Sequence, residues 1–306
     1  MQNRTFIQQA YTGKIGRWKY IIPAALFFGL MGLNILVSTL MDIDQSKMIA
    51  DQIERDGKNF TFFTILVPFA ILLGLLFIYV KFVHKQSIRS LTTSRKKIDW
   101  SRVWFGFILV AILISAMTLG DYLLRPEAYE MNFNFPQFII LAAIAIILVP
   151  LQTSFEEYMF RGYLMQGIGV ITKYRWIALF VTSLIFGLMH FANPEVGMLG
   201  PVIMISYIGT GFLLGIMTLM DEGMELALGF HAGNNLITAL LVTANWTAFQ
   251  TDSVLIYTEE PTAGFDVLIP VFVIYPIYLI IMAKKYKWTN WKSKLFGKVQ
   301  PISHES

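Results

Sequence analysis

Eight apolar runs dominate the chain, at 20–40, 60–82, 103–124, 137–167, 176–192, 201–220, 225–245 and 266–283. Crossing about 30 Å of hydrocarbon takes about 20 residues of α-helix, and most of the runs are that long. In lipid every backbone N–H and C=O must be paired within the protein, which leaves helices as the reading for such long apolar runs. The sequence therefore predicts an all-α, polytopic membrane bundle of about eight transmembrane helices. Composition agrees: charged residues make up 14% of the 306, against roughly 25% in soluble domains. The first run is not read as a cleaved signal sequence, because nineteen polar residues precede it and no small-residue cleavage pattern follows. The absence of cysteine excludes disulfides and thiolate chemistry. The net charge of +4 resides in loops between spans, so no nucleic-acid partner is expected.

Two features independent of hydropathy support these limits. Trp18, Trp100, Trp104, Trp176, Trp246, Trp288 and Trp291 all lie near a predicted span end, as an aromatic belt requires. Loop charge alternates as well. The N-terminal segment carries four basic residues, the 81–102 loop seven and the tail from Lys284 six. The 41–59 segment has five acids against three bases, and the 245–265 loop has three acids and no base. By the positive-inside rule both termini and the 81–102 loop are expected in the cytoplasm. The acidic turn "DEGME" at 221–225 departs from that pattern, although acids weigh little in it.

Polar side chains inside spans are rare and usually functional. Here they are Glu156, Glu157 and Arg161 on the fourth run, His190 on the fifth, and His231, Asn234 and Asn235 on the seventh. His84 and His304 fall in a loop and in the tail. Glu157 and Arg161 stand at i and i+4 and can pair. Glu156, rotated by about 100°, has no such partner and is free to meet another helix. His231 and Asn235 also share a face, with Asn234 turned away. At 1.5 Å per residue, Glu156 lies roughly 16 Å deep, His190 roughly 21 Å, His231 roughly 9 Å and Asn235 roughly 15 Å, so the four can meet in one layer.

These residues carry a resemblance. "EEYMFR", "FGLMH" and "HAGNN" fit, in order and on separate apolar runs, the E-E-x-x-x-R, F-x-x-x-H and H-x-x-x-N/D motifs of the CPBP (CAAX prenyl protease 2 and bacteriocin-processing, Abi) intramembrane proteases. The resemblance covers roughly 137–245, flanked by three N-terminal helices in 1–136 and by a last helix with a basic tail in 246–306. It implies a bundle with an intramembrane cavity opening to the cytoplasm, and hydrolysis of peptide or membrane-protein substrates. Glu156 and His190 would activate water, His231 and Asn235 would stabilise the oxyanion, and Glu157 and Arg161 would support the site. The family is often called a metalloprotease. Zinc on Glu156, His190 and His231 is therefore an alternative, but no H-E-x-x-H is present, and a chemistry needing no cofactor is preferred. A bacterial plasma membrane and an unprenylated substrate are expected. Two other classes bury such groups at this depth. A proton-coupled transporter would show two matching halves, which the sequence lacks. A non-catalytic scaffold or bacteriocin-immunity protein would tolerate loss of Glu156.

Overall fold

The computed structural model describes residues 4–261, 264 and 267–301; the expected start of the last span at 266, and His304 in the tail, lie outside them. In chain order the helices are α1 (Arg17–Leu40), α2 (Gln45–Asp56), α3 (Lys58–Phe82), α4 (Ile88–Thr92), α5 (Trp100–Leu124), α6 (Phe135–Glu157), α7 (Met165–Thr172), α8 (Arg175–Leu188), α9 (Pro194–Leu199), α10 (Met204–Asp221), α11 (Glu225–Leu241), α12 (Tyr275–Tyr286) and α13 (Trp291–Phe296). Among the described residues five helical segments are long and apolar enough to cross a membrane: α1, α3, α5, the continuous helix Phe135–Thr172 that contains α6 and α7, and Pro201–Asp221. The all-α, multi-pass membrane reading holds. Helix α8 is apolar but has only 14 residues, short of a full span.

Contacts between distant segments sort the connections onto two faces. On one face, Lys14 N donates to His84 O, Ser94 N to Glu222 O, and Arg175 N to Gly297 O. The N-terminal segment, the 83–99 loop, the α7–α8 and α10–α11 turns and the tail thus lie together. On the other face, three short strands pair in the order β1 (Tyr129–Met131), β3 (Leu255–Tyr257), β2 (Val242–Thr243). There Asn59 Nδ2 also donates to Gln137 O, and Ala248 N to Glu195. The first face holds the basic loops and the second the acidic ones.

The acidic 221–225 turn, anomalous in the charge pattern, is neutralised by the basic loop itself. Arg95 reaches Asp221 at 2.7 Å and Glu225 at 3.0 Å, and Arg102 also pairs with Asp221. Arg175 pairs with Glu222 at 3.2 Å, and Trp288 Nε1 donates to Asp221 at 3.1 Å. The turn belongs on the basic face because its partners are there.

Glycines set the position of α11. A Cβ on Gly229 would lie 1.8 Å from Val103 O, and one on Gly106 would lie 2.5 Å from Leu226 O. Small residues let two helices approach closely in a membrane, and here they bring α11 against α5. Gly229 and Gly233 occupy one face of α11, at i and i+4; His231 and Asn235 are two residues on, about 200° around, and face away from α5.

Candidate active site

The two glutamates end the regular part of α6. Tyr158–Leu164 forms a π turn before the helix resumes as α7. Such widened turns recur at functional sites. This one lies among fully buried side chains, where Gly162 packs on Leu91 of α4 and Tyr158 Oη meets Thr92 Oγ1 at 2.8 Å.

Glu157 and Arg161 pair as expected, Arg161 Nη1 donating to Glu157 Oε1 at 2.9 Å with both side chains 0% exposed. Such burial is tolerable only for a well-partnered ion pair. Arg161 Nη2 donates to Gly211 O at 3.2 Å, and the guanidinium stacks 4.1 Å from the ring centre of Phe186. The same Glu157 oxygen also takes His231 Nδ1 at 2.8 Å, a contact the helix spacing alone did not reveal. The carboxylate can only accept, so Nδ1 carries the proton. His231 Nε2 then faces Glu156 Oε2 at 3.5 Å, longer than a good hydrogen bond. The imidazole stands between two adjacent carboxylates.

Glu156 is not without a partner on its own helix, which corrects the sequence reading. Gln152, one turn earlier, donates through Nε2 to Glu156 Oε1 at 2.6 Å. The other end of that amide accepts from Asn235 Nδ2 at 3.4 Å, and Asn235 Oδ1 accepts from Asn234 at 3.0 Å. Gln152 therefore ties the carboxylate on α6 to the amides on α11. The i, i+4 spacing from Gln152 to Glu156 was visible in the sequence, but a neutral amide inside an apolar run draws no notice.

His190 sits differently from expectation. Helix α8 stops at Leu188, and His190 lies in the following turn with its N–H bonded to Gly187 O. Nδ1 donates to Phe186 O at 2.9 Å, and the ring stacks on Tyr207 at 4.5 Å and 14°. This leaves Nε2 as the unengaged nitrogen. Phe186 links His190 to the rest, its ring centre 5.1 Å from that of His190 and 5.9 Å from that of His231. Hydrogen bonds and ion pairs thus join Glu156, Glu157, Arg161, His231 and Asn235, while His190 is held beside them through an aromatic ring. Sequence reasoning missed Gln152, Phe186 as a central contact, and Tyr207.

Among the described residues no group of three or more His, Asp or Glu side chains could hold a metal ion. Glu156, His190 and His231 do not gather as ligands, and both nitrogens of His231 already face glutamates.

Residues 135–237 match the family described as type II CAAX prenyl endopeptidase Rce1-like. The chain is 39% identical over 165 residues to the uncharacterized protein YyaK of Bacillus subtilis (strain 168). That match covers 54% of this chain and 55% of YyaK, so it spans about half the length of this curated relative. No solved structure matches.

Proposed function

With a core of the Rce1-like type II CAAX endopeptidase kind at residues 135–237, we propose that the chain is an intramembrane endopeptidase hydrolysing peptide or membrane-protein substrates. The family match supports a CAAX-type protease; the roles below are our reading. The observation that carries it is the imidazole of His231 fixed through Nδ1 by Glu157, with Nε2 directed at the Glu156 carboxylate 3.5 Å away.

In this reading a water sits between Glu156 and the free Nε2 of His190, and Glu156 takes its proton as it attacks the scissile carbonyl. Gln152 holds the base in place by fixing Oε1. In this reading His231 is protonated at both nitrogens, Nδ1–H held by Glu157, and the oxyanion forms against its Nε2–H and Asn235 Nδ2, side-chain donors presented by α11 and already oriented before reaction. Glu156 then returns the proton to the leaving amine. Glu157 and Arg161 touch no reacting atom and hold His231 from behind. No metal enters this scheme. The apolar spans and the basic face support a bacterial plasma-membrane protein with that face and both termini in the cytoplasm.

The test is peptide cleavage by the purified protein in liposomes, with products read by mass spectrometry before and after exhaustive chelation. Cleavage that survives chelation is expected. Cleavage abolished by chelation and restored by zinc would replace this scheme with a zinc-dependent one.

A further inference from the structure

Helix α1 is packed against the rest of the molecule along little of its length. Of its 24 residues only Tyr20 and Phe27 are buried. The Tyr20 ring packs on Gly167 of α7, and the Phe27 ring centre lies 5.2 Å from that of Phe155 and 6.5 Å from that of Phe160. Beside these contacts a groove of about 720 Å³ opens between α1 and α7. Leu164, Ile168 and Ile171 form its α7 wall, and Ala24, Ala25 and Gly29 belong to its α1 wall. A Cβ on Gly29 would meet nothing within 4 Å. Small side chains on α1 leave the groove open.

One end of this apolar groove is cationic. Arg17, the first residue of α1, lines it, is exposed, and joins none of the ion pairs among the described residues. Exposed Trp18 beside it marks the headgroup level. Lys14 and Lys173, both exposed, stand at the same end of the two helices. No side chain caps α1, whose N-cap is Gly16 and whose first turn holds no acid. Its first N–H groups are therefore open to an anion. One turn further in, Tyr20 lines the groove at 6% exposure, and its hydroxyl is buried without a hydrogen-bond partner. Such a group calls for an explanation.

A guanidinium, an uncapped helix start and a free hydroxyl above an apolar groove suit a phosphodiester with an acyl chain below it. Basic pockets between transmembrane helices on the cytoplasmic side recognise anionic headgroups, and the cytoplasmic leaflet supplies them. We propose that this groove holds one anionic phospholipid of that leaflet, its phosphate at Arg17 and the first turn of α1 and one acyl chain along Ala24, Ala25 and Gly29. The Tyr20 hydroxyl donates to the ester region between the two. Leu164 ends the π turn that carries Arg161, so the lipid braces α1 against the segment that supports the site. The proposal rests on a cytoplasmic basic face and is independent of peptide cleavage.

The full-length protein, purified in detergent, is mixed with equal amounts of dioleoyl phosphatidylglycerol and dioleoyl phosphatidylcholine, and the retained lipid is read by native mass spectrometry. The acyl chains are identical, so only the headgroups compete. One phosphatidylglycerol should be retained in preference and should raise the thermal midpoint. Arg17→Gln should weaken its retention about fivefold, the contribution of one basic residue near the surface. Lys96→Gln, at an exposed position elsewhere on the basic face, should not. Ala25→Leu combined with Gly29→Leu fills the groove at two exposed positions and should also release the lipid. Equal retention of the two lipids overturns the proposal, since it means an apolar annulus only. A preference unchanged by Arg17→Gln or by the filled groove overturns it as well, as does one weakened equally by Lys96→Gln, which marks diffuse surface charge.

Discussion

Glu157 and His231, 74 residues apart in the chain, meet at 2.8 Å through Oε1 and Nδ1. This contact decides which way the imidazole faces, because it leaves Nε2 on the side of Glu156. The second glutamate of the pair is thus more than a counter-ion for Arg161. If His231 Nε2 supplies an oxyanion donor, His231→Ala should depress turnover by about 10²–10³. Glu157→Gln should act through the same ring. A double-mutant cycle on turnover should therefore be strongly non-additive, the double variant losing little more than His231→Ala alone. Additive losses would mean that Glu157 does not work through His231.

Gln152 offers a test of the carboxylate's support. Its amide fixes Glu156 Oε1 and connects to Asn235. A hydrogen bond to a charged group contributes about 1.5–3 kcal/mol, so Gln152→Leu should lower turnover by about 10- to 100-fold while the protein stays folded in detergent. Gln152→Glu should not rescue it, because a carboxylate cannot donate to Glu156 when both are ionised. Full activity in Gln152→Leu would remove it from the site.

Arg161 should behave as a structural residue. Its removal leaves Glu157 buried at 0% exposure with one oxygen already lacking a partner. Breaking a buried pair from one side costs about 3–5 kcal/mol. Arg161→Ala should therefore show a large fall in thermal midpoint in detergent. A midpoint equal to that of the unmodified chain would show that the pair is not needed for stability.

The fold was largely legible because lipid imposes a simple rule: each crossing needs a long apolar run, and each expected run is helical over most of its described length, the fifth ending at Leu188 and the seventh at Leu241. The three-stranded cap was not legible, since strands of two or three residues show no period. At the site, the i, i+4 pairing of Glu157 with Arg161 follows from helix geometry alone and was found. The Glu157–His231 contact depends on how α6 and α11 pack, which spacing within one helix cannot show. The π turn after Glu157 and the end of α8 before His190 likewise depend on neighbours. The acidic 221–225 turn looked misplaced only because its partners, Arg95 and Arg102, are more than a hundred residues away.

Packing of α11 gives a further check. Gly229 lies so close to α5 that a Cβ would overlap Val103 O. Gly229→Ala must push the helices apart and carry His231 and Asn235 with them. Overpacking typically costs about 1–3 kcal/mol, so this variant should lose both thermal stability and turnover. Ala232→Gly, on the same helix, leaves the α5 contact intact and should keep the spacing. Wild-type stability in Gly229→Ala would contradict the close α5–α11 contact.

If Glu156 is the base, Glu156→Gln should abolish cleavage. The substitution keeps the size of the side chain and an oxygen for Gln152 to bond, but it cannot take a proton. Wild-type and Glu156→Gln proteins should be reconstituted side by side and assayed on one cleavable peptide, with thermal midpoints measured in the same preparations. Glu156→Gln should unfold at a midpoint close to wild type and show no detectable cleavage. Retained cleavage by a well-folded Glu156→Gln protein would contradict a base role for Glu156.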